Sequence, residues 1–132
     1  MKKNIINETH YACGVVLNTK ALILMRNANP DGSGLCGFSF PRVELTGDDP
    51  KRSVRHLFKD LFGCELIIVC ELSPIVSFDL AGNKTVLHPI VCEAVSRMNL
   101  GNRKYEVRNV SFNEIDDIWF TKEDKILAKK II

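Results

Sequence analysis

The side chains able to do acid–base or metal chemistry are few and scattered along the chain. His10 and His88 lie in strand-like segments with no matching ligand pair, which argues against a zinc site. His56 falls on the charged side of a helical segment and reads as a solvated surface residue. The five cysteines, Cys13, Cys36, Cys64, Cys70 and Cys92, are odd in number and contain no CxxC pair. Most sit in apolar strand-like contexts, so they read as small buried hydrophobes in a reducing compartment. Among the acids, Asp48 suits a turn and Asp49 a helix cap. Glu93 stands out in an apolar strand, where a solvent-facing side chain is the expected account. A hard cation such as Mg²⁺ takes oxygen ligands, usually carboxylates and waters. Helix positions i, i+3 and i+4 share a face. Leu57, Asp60 and Leu61 hold those positions, so a single carboxylate stands between two leucines.

These residues are carried by elements that the sequence marks out. Residues 10–17 and 21–25 read as strands joined by a tight hairpin at Asn18-Thr19-Lys20. Residues 27–34 form a clear loop, and Cys36–Pro41 follows with Phe38 and Phe40 at strand period. After a turn at Thr46–Asp49 the helix signal is strong. Asp49 suits the N-cap, Pro50 the first turn and Gly63 the C-terminal cap. Between them Val54, Leu57, Phe58, Leu61 and Phe62 recur at helical spacing. Strands are then expected at 65–71, 75–80, 85–95 and 105–112, with a hairpin at Ala81–Lys84. Capping-box patterns at Ser111-x-x-Glu114 and Thr121-x-x-Asp124 predict a helical turn at 113–118 and a last helix at 122–131. Trp119 is expected to pack that helix onto the sheet. The order strands, helix, strands, helix predicts an α/β (α+β) fold, a mixed sheet with helices on its faces.

Composition sets the outer bounds. A chain of 132 residues has room for one domain, taken as residues 1–132. With 45% hydrophobic residues it can build a core, and its net charge of +2 gives no basic patch that would call for nucleic acid. No apolar h-region follows Lys2-Lys3, and no stretch is long enough to span a bilayer. The expected setting is cytoplasmic, without a membrane partner.

Three stretches resemble the Nudix, or MutT-like, hydrolases. The first is Gly37-Phe38-Ser39-Phe40-Pro41 followed by the capped helix ending in Phe62-Gly63. Nudix proteins usually carry Phe-Pro-Gly-Gly there, then a loop Glu and a helix with Arg-Glu-x-x-x-Glu-Glu-x-Gly. In this chain Arg42 and Val43 replace the glycines. His56 stands at the Arg position, Leu57 at the adjoining Glu, and Asp60 and Leu61 at the later Glu pair. The loop Glu falls on Asp48 or Asp49. The second stretch, Ser73–Val95, is similar to the family's central hairpin. The third, Glu106–Ile115, is similar to its E-x-R-W-V-s-x-x-E-L segment, with Asn109 where Trp is common.

The resemblance implies a mixed β-sheet sandwiched between helices and a cleft lined by Phe40, Arg42, Glu44, His56 and Glu106. It implies that any remaining catalysis falls to Asp60 and Glu93, with Asp48, Asp49 and Asp60 as metal ligands for Mg²⁺ or Mn²⁺ if the chain is active, and otherwise no cofactor. The leucines at the carboxylate positions turn the expectation towards a Nudix-fold protein that binds a nucleotide-like ligand or a protein partner with weak or no hydrolysis. The alternative is a divergent Mg²⁺-dependent pyrophosphohydrolase of nucleoside diphosphate derivatives. The wide apolar stripe of the helix would also suit a homodimer interface.

Overall fold

The computed structural model describes residues 7–18, 21–27, 37–101, 104–118 and 120–131. The elements run β1 (Glu8–Asn18), β2 (Ala21–Asn27), β3 (Arg42–Glu44), α1 (Pro50–Phe62), β4 (Leu66–Glu71), β5 (Ile75–Phe78), β6 (Lys84–Ala94), β7 (Tyr105–Ser111), a 3₁₀ turn (Phe112–Asp117) and α2 (Lys122–Ile131). The strands form one mixed sheet in the order β4-β6-β1-β2-β7, with β3 paired to β1 and β5 to β6. Its spine is the parallel pair β1/β6, in register from Glu8 opposite Lys84 to Val16 opposite Cys92.

Strand alternation sends β1 side chains into two cores. Ala12 and Val16 face α1, where Val54, Phe58, Phe62, Ile90 and Cys92 complete a buried cluster. Cys13 and Val15 face the opposite side, where Leu22, Leu24, Phe40, Leu87, Val110 and Leu127 pack beneath α2. The sheet is thus covered by a helix on each face, as the order of elements predicts. Each fully buried Phe or Leu contributes roughly 1.5–3 kcal/mol relative to exposure. The two clusters therefore fix both helices against the sheet.

Helix α1 begins and ends where its caps require. The Asp49 side chain accepts from the Lys51 N–H at 3.3 Å, Pro50 opens the helix, and Gly63 closes it at φ 61°. The hairpin between β5 and β6 is held by Asp79, which accepts from the Ala81 and Asn83 N–H groups. Thr19, Lys20, Cys36 and Trp119 lie outside the described residues, as does most of the 27–34 loop.

Two local expectations are corrected. Phe38 and Ser39 make only isolated bridges, to Phe120 and Met25, and the paired strand starts later, at Arg42. The cause is a side chain that intercepts the ladder: the Phe40 N–H donates to Asp124 Oδ1 at 2.9 Å. Cys70 is exposed, unlike Cys13, Cys64 and Cys92. A register irregularity between Ile68 and Cys70 re-aims that side chain.

Candidate functional site

The half-buried leucines of α1, Leu57 and Leu61, pack against the core on that face and are also exposed to a cleft. They line this cleft, of about 300 Å³, together with Met25, Arg26, Arg42 and Tyr105. The lining therefore combines apolar side chains with two guanidinium groups. Arg26 Nη2 donates to Glu106 Oε1 at 3.2 Å, across the β2/β7 ladder that places the two residues opposite each other. Its guanidinium carbon also lies 4.4 Å from the centroid of the Phe38 ring, while Arg108 approaches the same ring at 5.1 Å. Arg108 Nε sits 3.0 Å from Glu106 Oε2 without hydrogen-bond geometry, so charge alone joins that pair.

Arg42, the second cation, is held by carboxylates of α2. It donates from Nη1 to Glu123 Oε1 at 2.8 Å, lies 3.7 Å from Asp124 Oδ2, and stacks over the Tyr11 ring at 4.7 Å. Burial works against its charge, but the Glu123 hydrogen bond and the two carboxylate charges outweigh burial and hold its pKa above the ordinary value. Burial likewise raises Glu123, yet the hydrogen bond from Arg42 brings its pKa below normal. Asp124 is fully buried, and that burial pushes its pKa up to about 6 despite the Thr121 hydroxyl, the Phe40 N–H and Arg42. This network ties the start of α2 to the start of β3 behind the cleft. The Thr121-x-x-Asp124 pattern marked the cap, but nothing in the sequence showed that the Asp would be buried and shared with Phe40.

The residues expected at the site do not gather in one place. Arg42 lines the cleft, and Glu106 holds the cleft residue Arg26. Phe40 lies in the core beneath α2, completely buried, and does not line the cleft. Glu44 is exposed on β3 opposite Tyr11. His56, Asp48 and Asp60 border a second depression of about 440 Å³, which adjoins the cleft through Leu57. Asp49 is occupied as the α1 cap. Glu93 lies at another edge, in a cavity of about 580 Å³ with Arg97 and Asn109. Arg26 was missed; its only signal was a charge at the end of the apolar run Ala21–Met25.

The geometry invites comparison with known folds. No sequence family model matches the chain, and no curated protein matches it in sequence. Solved structures do. A Nudix hydrolase from Nitrosomonas europaea superposes with TM-score 0.72 at 11% identity, over 94% of this chain and 87% of its own. A MutT protein from Methanosarcina mazei gives 0.74 at 13%, over 95% and 93%. A MutT Nudix hydrolase from Burkholderia pseudomallei gives 0.73 at 12%, over 96% and 99%. The fold is Nudix-like. At these identities the likeness speaks for the fold alone.

A Nudix fold implies a divalent cation, and the residues in the cleft do not fit one. Among the described residues, no three His, Cys, Asp or Glu side chains come together as a metal-holding group. Mg²⁺ requires oxygen ligands in near-octahedral array. The cleft offers two leucines and the cations Arg26 and Arg42, which repel an ion instead of ligating it. Among the described residues, no helix is long and apolar enough to cross a membrane.

Proposed function

We propose that this chain uses the Nudix fold to bind a nucleotide-like anion in the Arg26/Arg42 cleft without a metal ion and with little or no hydrolysis. One observation carries the reading: Leu57 and Leu61, at the positions where the resemblance expects glutamates, line that cleft. An anion with an apolar portion suits such a lining. Its phosphate oxygens take guanidinium N–H donors, of which each Arg has five in a planar fork, and its apolar part lies on Met25 and the leucines. Glu106 and Glu123 each use part of that donor set and keep the guanidiniums aimed. The cleft volume falls at the small end of ligand sites, which run from roughly 300 to 1,000 Å³.

Nucleoside diphosphates and nucleoside diphosphate-linked sugars, titrated with and without excess chelator, test this. Binding measured by thermal shift is expected to be indifferent to the chelator, to weaken in Arg26→Met, and to occur without phosphate release. The competing reading is a divergent pyrophosphohydrolase, favoured by Asp48 and Asp60 bordering one depression. Chelator-sensitive turnover that Asp60→Asn or Glu93→Gln abolishes would establish that reading and sink ours.

A further inference from the structure

His10 and His88 are far apart in sequence, and the parallel β1/β6 pair brings them together. In its register Ala12 stands opposite His88 and His10 opposite Val86, so the two imidazoles are diagonal neighbours on the face that α1 covers further along the sheet. Their ring planes differ by 21°, with centroids 5.1 Å apart, and His10 Nδ1 lies 2.8 Å from His88 Nε2, so the rings meet edge to edge. The other nitrogen of His10, Nε2, is 2.9 Å from Glu8 Oε1, and Lys84 Nζ holds the same oxygen at 3.6 Å.

The hydrogen bond to Glu8 fixes the chemistry of the pair. A carboxylate only accepts, so the proton of neutral His10 sits on Nε2 and Nδ1 keeps its lone pair. A carboxylate–histidine pair of this kind orients metal-binding imidazoles and raises their basicity. In the metal-free pair a single proton, carried by His88 Nε2, bridges the two nitrogens.

We propose that His10 Nδ1 and His88 Nε2 form a binding site for a borderline-soft transition-metal ion of the Zn²⁺ kind, distinct from the cleft. The ion takes the place of the bridging proton, which moves by exchange with water to His88 Nδ1, so no net proton is released. Zinc–imidazole bonds of about 2.0–2.1 Å in tetrahedral array require the two nitrogens to stand roughly 3.3 Å apart. Binding therefore requires side-chain rotation that widens the present 2.8 Å. The His10 side chain is 39% exposed, so an ion can enter and waters can complete its coordination. Imidazole suits Zn²⁺ and disfavours the Mg²⁺ that a Nudix fold implies.

The test is a Zn²⁺ titration of the full chain, followed by calorimetry and by the imidazole NMR signals of its three histidines. One ion per chain is expected, with the His10 and His88 signals moving and His56 unmoved. His88→Ala is expected to weaken binding more than tenfold and Glu8→Gln by roughly tenfold, the usual effect of losing the carboxylate behind a ligating His. Cys70→Ser is expected to leave binding unchanged, although that thiol is exposed. Zn²⁺ that leaves the His10 and His88 signals in place on the wild-type chain, or affinity untouched by both His10→Ala and His88→Ala, overturns the proposal.

Discussion

At the scale of single residues, Asp124 is the most consequential side chain outside the cleft lining. A carboxylate buried this completely resists ionisation, and its pKa rises from an ordinary 3.8 to about 6. Folding is therefore linked to proton uptake at this group. The folded chain binds the proton more tightly than the unfolded one, so the associated stability is full below about pH 4 and is lost as pH rises towards 6. A shift of that size corresponds to on the order of 2–3 kcal/mol. Asp124→Asn removes the titration while keeping an oxygen for the Phe40 N–H. Urea unfolding of both proteins at pH 4, 5 and 7 is expected to show the variant gaining on wild type by about that amount as pH rises. A stability difference that stays constant across the range would show that Asp124 ionises freely in the fold.

At the scale of elements, the seating of α1 on β1 depends on a glycine. A Cβ at Gly14 would lie 2.2 Å from Phe58 Cε1 and 3.1 Å from Val54 Cγ1. Phe58 has no room to swing away, because it is fully buried with its ring edge-on to Phe62 at 5.2 Å. Gly14→Ala is expected to cost about 1–3 kcal/mol through overpacking, and Gly14→Ala/Phe58→Leu to recover part of that loss in the urea midpoint. A neutral Gly14→Ala would mean that the helix sits further from the sheet than this packing requires. The elements themselves were legible wherever one local signal dominated. Asp49, Pro50 and Gly63 bounded α1, hairpin signals at Asn18-Thr19-Lys20 and Ala81–Lys84 marked the strands beside them, and the Thr121-x-x-Asp124 box marked α2. What escaped was non-local. The Asp124 bond to Phe40, the diagonal meeting of His10 with His88, and the placing of Arg26 at the cleft each depend on a register or packing that no short window contains. Phe40 shows the same limit: its strand period told that it would be buried on a face, as it is, but not which face borders the cleft.

At the scale of the whole molecule, the fold and the chemistry of its cleft separate. The sheet, both helices and their order match Nudix structures over nearly the whole chain. The cleft, however, is lined by leucines and arginines. If Leu57 and Leu61 alone keep a divalent ion from the cleft, carboxylates in their place should introduce a response to Mg²⁺. In Leu57→Glu/Leu61→Glu, two glutamates at i and i+4 join Asp60 on one turn of α1. Without metal their mutual repulsion and partial burial should lower the melting temperature below that of wild type. Added Mg²⁺ should then raise it, by roughly 1.4 kcal/mol of stability when the ion is tenfold above its dissociation constant. That amounts to a few degrees for a domain of this size. Wild type should not respond to the same additions, and a wild-type response would mean that the cleft holds a cation despite its lining. A double variant indifferent to Mg²⁺ would carry a different lesson. The guanidiniums of Arg26 and Arg42 would then be keeping cations out, and the cleft would be committed to anions as a whole, beyond its two leucines.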